Sequence, residues 1–410
     1  MNMNKVFTLT LLLCLLSSAI IYSNDSISIT GSAELGGISA MNDFSALSNP
    51  SISEFYEEIR FGVSLSTRFR LELKPLSNMT AVLEGLSSFS GGYANPMGRY
   101  ETTGLPELPE DESNSLFSIE QAWVSWGYES LNVSFGKVPV SWGSAWLVNP
   151  ADRVNPRNLG SLFSDEKKGI PALTIDLALG WTFGFSGYMC FTDKINDELV
   201  SLNETNIENL PFALKFIAFP SGWEISAGFA RETDSNWVVS EITGNISSLG
   251  LTLESALKLP ESGENWLIKD ALELSFGASY FLNPLKTEVL LEYIHLGTGN
   301  RIPEQYDVFG FIQGTRVLVA EDYLFSHISW EGVETLKADL AILLNLNDRS
   351  LLACPSLEWE PVTDLVFTLG TFFALGDQTS EFGGQRILGP GLLWKPWDDV
   401  TVSCGMKLHF

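Results

Sequence analysis

Residues 58–74 read EIRFGVSLSTRFRLELK, and alternate positions of this stretch differ sharply in chemistry. Ile59, Phe61, Val63, Leu65, Phe69, Leu71 and Leu73 take one set; Arg60, Ser64, Ser66, Arg68, Arg70, Glu72 and Lys74 take the other. A period of two is that of an extended strand, whose successive side chains point to opposite faces. The same rhythm sets Leu249, Leu251, Leu253, Leu257 and Leu259 against Thr252, Glu254 and Lys258. It returns with Leu272, Leu274, Phe276 and Tyr280 against Glu273, Ser275 and Ser279, and with Leu336, Ala338, Leu340, Ile342, Leu344 and Leu346 against Lys337, Asp339 and Asn345. These runs exceed the ~5–6 residues of a soluble strand and reach the ~9–11 that a tilted strand needs to cross a bilayer.

Soluble sandwiches alternate too, so the connections have to discriminate. Short turns rich in proline and glycine, at Gly180, Pro220 to Gly222, Pro284, Pro361 and Pro396, alternate with long polar connections near 91–115, 139–169, 192–209, 297–319 and 375–385. Membrane barrels have this asymmetry, with short periplasmic turns and long outer loops. Trp181, Trp223, Trp359, Trp394 and Trp397 stand beside the short turns, where indole rings would form a girdle at the lipid headgroups. The pattern predicts an all-β chain: a single transmembrane antiparallel β-barrel of about 18 strands, within a range of roughly 16 to 20, in the outer membrane of a bacterium with two membranes. The first strand (26–36) and a further one within 305–320 are its least determined parts.

Residues 1–23 carry Lys5, an apolar stretch from Val6 to Ile21 and a polar break at Ser23, the layout of a cleaved signal peptide. Residues 24–410 would form the barrel. Cys14 lacks the small residues that precede a lipidated cysteine. The formal charge is −26, and removing one lysine and no acid with the signal makes it −27, which excludes nucleic acid as a partner. Cys190, Cys354 and Cys404 have no paired spacing, so neither a disulfide framework nor a zinc site is expected.

Two segments carry a resemblance. The chain ends Val400-Thr-Val-Ser-Cys-Gly-Met-Lys-Leu-His-Phe410, alternating and closing on an aromatic. It resembles the terminal signature by which outer-membrane barrels are recognised, which implies the barrel-assembly machinery as a partner. Phe135-Gly-Lys-Val-Pro-Val-Ser-Trp-Gly143, followed by Asn149-Pro-Ala-Asp-Arg-Val-Asn-Pro-Arg157, resembles a strand and loop of the porin-like barrels related to alginate export. Two Asn-Pro steps stiffen such a loop, because proline fixes its own φ and restricts the residue before it. Folded inward, the loop would bring Asp152, Arg153 and Arg157, with Lys167 and Lys168, to a constriction; folded outward, it would be solvated surface.

Arg60, Arg68, Arg70 and Lys74 share the polar face of the first long strand, and charges on such a barrel belong in the lumen or beyond the lipid. They would make a basic wall that favours anions, unless Glu120, Glu254 or Glu273 neutralises it from neighbouring strands. The candidate pore-lining set is therefore Arg60, Arg68, Arg70, Lys74, Asp152, Arg153 and Arg157. His295, His327 and His409 have no serine or acid in a catalytic arrangement beside them, and no phosphate loop or metal-ligand spacing is present, so neither an enzyme nor a cofactor is implied. Two functions fit: an outer-membrane channel for passive diffusion of small hydrophilic solutes, with anions favoured, or a non-conducting surface barrel acting as adhesin or envelope structure. Lipid and small solutes are the expected partners, and homo-oligomerisation is left open.

Overall fold

The computed structural model describes residues 26–41, 59–92, 97–102, 114–153, 169–191, 210–232, 235–260, 267–307, 316, 318–377, 379–383, 386–389, 392–397 and 399–410. From the N-terminus the strands are β1 (Ile27–Met41), β2 (Ile59–Leu76), β3 (Met79–Gly92), β4 (Met97–Thr102), β5 (Asn114–Tyr128), β6 (Leu131–Val138) and β7 (Ile170–Leu179). Next come β8 (Phe183–Cys190), β9 (Phe212–Ala218), β10 (Glu224–Arg231), β11 (Asn236–Ile246), β12 (Leu249–Lys258), β13 (Leu272–Leu282) and β14 (Thr287–Leu296). The chain continues through β15 (Asp322–Val333), β16 (Leu336–Asn345), β17 (Leu351–Val362), β18 (Leu365–Leu375), β19 (Arg386–Gly389), β20 (Leu392–Trp397) and β21 (Val400–His409).

Eighteen of these strands form one antiparallel sheet, and β1 pairs with both β2 and β21, so the sheet closes on itself. Closure leaves no edge strand, so the amides of the paired ladders find their partners on neighbouring strands, the condition for crossing hydrocarbon. The last residue takes part: the Phe410 amide donates to Gly31 O at 2.9 Å, and the Gly31 amide donates to Phe410 O at 2.8 Å. The start of β1 and Phe410 therefore sit at the short-turn rim, the periplasmic side. The outward face is apolar: Leu35, Phe61, Val63, Phe135, Phe216, Leu291 and Met406 are exposed. Exposed oil around the whole cylinder is what a lipid-facing wall requires, and the chain is an outer-membrane barrel.

The predicted number of strands holds, and β1 runs further than the sequence indicated, to Met41. Tyr306 and Asp307 lie outside any strand; 308–315 fall outside the described residues. Trp181, Trp223 and Trp359 stand at short turns, and Trp126 and Tyr128 stack nearby at 5.9 Å. Trp394 and Trp397 do not: they belong to β20, which with β4 and β19 makes a separate three-stranded sheet among the long connections. Pro396 lies inside this strand, not in a periplasmic turn. Proline and tryptophan mark either rim equally well, and local sequence does not say which.

Leu291 faces lipid near the middle of β14. Leu291→Arg is expected to destabilise the folded barrel by about 2–4 kcal/mol, the cost of a cation near the bilayer midplane. Guanidinium unfolding in lipid vesicles measures this; a loss below about 0.5 kcal/mol would mean that this position does not meet hydrocarbon.

Candidate functional site: an inward-folded segment and the wall across from it

The chain leaving β6 does not rise outward. Residues 139–153 turn into the cylinder, and Val140, Trp142, Ala145, Leu147, Asn149, Ala151 and Asp152 are buried there. A backbone that leaves the sheet loses its ladder partners, and those lost partners have to be replaced. Two glutamates on the inner wall replace them. On β12, Glu254 accepts from the amides of Ser144, of Ala145 at 2.5 Å and of Ala151 at 3.4 Å. On β14, Glu292 accepts from Trp146 at 2.6 Å, Leu147 at 3.2 Å and Val148 at 3.5 Å. The segment thus forms two concave runs of backbone N–H groups, each filled by one carboxylate, an arrangement suited to negative charge.

Gly143 makes this approach feasible. Its φ is +88°, and a Cβ there would lie 2.7 Å from both Glu254 carboxylate oxygens. Gly136, at φ +125°, clears the backbone of Ala122 where β6 meets β5. Side chains reinforce the anchor: Ser144 Oγ donates to Glu241 on β11 at 2.5 Å, and Trp142 meets Tyr188 on β8 edge to face at 4.6 Å. Trp146 stacks on Phe325 at 5.1 Å and on His327 at 4.5 Å, both on β15. The segment therefore lies along the inner faces of β8 to β15.

Asp152 and Arg153 serve this anchoring. Asp152 accepts from the Trp142 amide at 3.3 Å and so closes the segment on itself. Arg153 donates to Glu273 on β13 and, at 3.0 Å, to Glu232, with its guanidinium 3.7 Å over the Trp237 ring. Arg157, Lys167 and Lys168 fall outside the described residues. Of the remaining candidates, Arg60 lies on β2 opposite Ala40. Arg68 and Arg70 on β2 both reach Glu84 on β3, at 2.7 and 3.0 Å, and Lys74 reaches Glu72 at 3.1 Å. The compensating acid is thus Glu84, while Glu254 and Glu273 are occupied by the segment. A register shift between β3 and β5 buries both Glu120 and Gln121, and Gln121 accepts from Arg70 at 3.4 Å.

Arg68 and Glu254 face each other across the lumen, since β2 and β12 lie nine strands apart in the ring of eighteen. One half of the interior is further filled by loops. Tyr306, Leu318, Val319, Ala320 and Phe382 pack with Leu147 onto the inward side chains of β14 to β18, among them Ile294, Tyr323, Phe325 and Leu352. Glu381 lies beneath them and accepts from Tyr323 Oη at 2.6 Å, Asn345 Nδ2 at 2.8 Å and the Val319 amide at 3.2 Å. Burial holds its carboxyl up at about 7. His295, Glu321 and Asp322 also gather at the long-loop end; Glu321 is gripped by Arg301 at 2.6 and 2.9 Å, and Asp322 accepts from Tyr293 at 2.7 Å.

Sequence reading found the segment and its flanking glycines but not its acceptors. Glu254 and Glu292 look like ordinary polar-face residues, and only the ring order brings them beneath residues more than a hundred positions away. The one signal was an acid at mid-strand on an inward position, where it needs a partner.

Two outcomes follow from this geometry. Gly143→Ala is expected to destabilise the segment by about 1–3 kcal/mol through its positive φ and the displaced carboxylate, read as faster proteolysis within 139–153 while the barrel stays folded; unchanged proteolysis would contradict the contact. Glu381 binds a proton more tightly folded than unfolded, so its loop is expected to gain stability as pH falls from about 7 toward the ordinary value of 4.5, and to lose it as pH rises through that window. Hydrogen exchange at residues 379–383 reads this, and Glu381→Gln should flatten the dependence.

No family model matches the sequence, and no curated protein is similar to it. Solved structures share the fold. The outer-membrane porin OccAB4 of Acinetobacter baumannii gives a TM-score of 0.53 at 10% identity, covering 95% of this chain and 100% of that one. OccK5 (OpdH) of Pseudomonas aeruginosa gives 0.52 at 10% identity, covering 93% and 98%. Wzi of Escherichia coli, a carbohydrate-binding β-barrel involved in group 1 capsule assembly, gives 0.53 at 11% identity, covering 92% and 84%. By its closed wall and lipid-facing oil, the chain is an outer-membrane β-barrel that shares its fold with these proteins.

Proposed function

We propose that the protein is a channel for passive diffusion of small hydrophilic solutes, with residues 139–153 setting the width of its lumen. The observation that carries this reading is the one-sided anchoring of the segment: it narrows the cylinder from the β8–β15 side and leaves the charged face of β2 and β3 across from it. A wall that needed only to hold a surface loop would have no use for two buried carboxylates dedicated to an internal strap. The resemblance of residues 135–157 to alginate-export barrels agrees with a channel and does not choose its solute. On the charged face three cations, Arg68, Arg70 and Lys74, stand with two carboxylates, Glu72 and Glu84. That surplus supports a mild preference for anions and no more.

The dry cluster under β14 to β18 favours the second reading, a non-conducting barrel that acts through its outer loops. Planar-bilayer recording separates the two. A channel gives discrete conductance steps, and Arg68→Ala lowers the anion-to-cation permeability ratio by about twofold. Insertion without steps would support the non-conducting barrel, and steps with unaltered selectivity would remove Arg68 from the pathway.

A further inference from the structure

The interior is filled unevenly, and the unfilled part has its own chemistry. Inward positions at the long-loop ends of β6 to β17 are covered: Val138, Cys190, Trp237, Glu273, Ile294, Tyr323, Asn345 and Leu352 are all buried. On β1 and β2 the covering is broken: Ser32 and Gly62 are buried, but inward positions between them in height are not. Glu34 and Ser64 alternate with the lipid-facing Leu35 and Val63, so they point inward, yet both are exposed. Only water in the lumen can expose an inward residue. Glycines keep the neighbouring wall low: a Cβ on Gly36 would meet Ser64 Oγ at 2.7 Å, and one on Gly405 would meet Thr368 Oγ1 at 2.6 Å.

Along this wetted wall the charges alternate in sign. From the periplasmic rim, β2 presents Lys74, Glu72, Arg70 and Arg68, with Glu84 of β3 set between the two arginines. The next inward position toward the outside is Ser66, whose register partner on β1 is Glu34, itself opposite Lys407 on β21. A column in which Arg68, Arg70 and Lys74 each hold a carboxylate at 2.7 to 3.1 Å, followed by Glu34 beside Lys407 in register, gives a simple ion no more than a mild bias. It offers paired contacts to a solute that carries both signs.

Resting on the channel reading above, we propose that the solute path runs along the β21–β1–β2–β3 wall and that its preferred solutes are small dipolar molecules bearing both an ammonium and a carboxylate group. Glu34, Arg70 and Lys407 are its selectivity determinants, touching the solute in transit. The segment on the opposite wall positions the path and contributes no charge to it, because its carboxylate partners are buried.

Liposome swelling with glycine, its size-matched neutral analogue glycolamide, and glycolate tests the class. Glycine is expected to enter at least about twice as fast as either, and Glu34→Gln and Arg70→Gln are each expected to bring that ratio close to one while leaving glycolamide entry unchanged. Glycolate entering fastest, or ratios untouched by both variants, would overturn the proposal. The route is tested separately with Ser64→Cys and, as a reference on the other half of the wall, Ser275→Cys, using a charged, membrane-impermeant thiosulfonate. Ser64→Cys should react and Ser275→Cys, buried under the segment, should not; the reverse would place the path elsewhere. If no solute enters at all, the channel reading itself fails, and the thiosulfonate result still reports which wall meets water.

Discussion

Neither hydrocarbon nor a crowded lumen offers a backbone amide a ready partner, and that scarcity organises the described residues twice. In the wall, hydrocarbon offers no hydrogen bonds, so the sheet must close, and it does so through β1, β21 and the final residue Phe410. Inside, residues 139–153 leave the sheet and meet the same demand in a crowded lumen. Glu254 and Glu292 satisfy it with two carboxylates, each able to accept several bonds at once. An uncharged side chain has fewer lone pairs and a weaker field, which accounts for acids in a place where burial otherwise penalises them.

The carboxylates also solve an electrostatic problem. The chain is strongly acidic, at −26, and a lumen lined with unpaired acids would repel every anion. By burying Glu241, Glu254, Glu273 and Glu292 beneath or beside the segment, the fold withdraws these four carboxylates from the lumen water. What remains along the open wall is the small group on β1, β2, β3 and β21, four cations set against three carboxylates, of which Glu84 is buried. Anchoring and selectivity are therefore two results of one placement.

The wall was legible in the sequence because lipid imposes a period of two on every strand and an asymmetry on every connection. Residues 58–74 alone declare it. The inward path of the segment was half legible: Gly136, Gly143 and the Asn-Pro step at Asn149 mark a shaped backbone, but no local feature says which way it points. The partners were not legible. Glu84, not a more distant acid, neutralises Arg68 and Arg70 because β3 follows β2 through a two-residue turn, whereas Glu254 reaches its amides across more than a hundred residues of chain. Trp394 and Trp397 misled for the complementary reason, since a rim residue reads alike at either end of the cylinder.

The central claim is that backbone amides of the segment are held by inner-wall carboxylates in the lipid-embedded protein. Solid-state NMR dipolar recoupling between the Trp146 amide nitrogen and the Glu292 carboxyl carbon measures it directly. A hydrogen bond of 2.6 Å between nitrogen and oxygen predicts a strong coupling, lost in Glu292→Ala. A barrel that gives the full strand spectrum in bilayers but shows no such coupling would contradict the account.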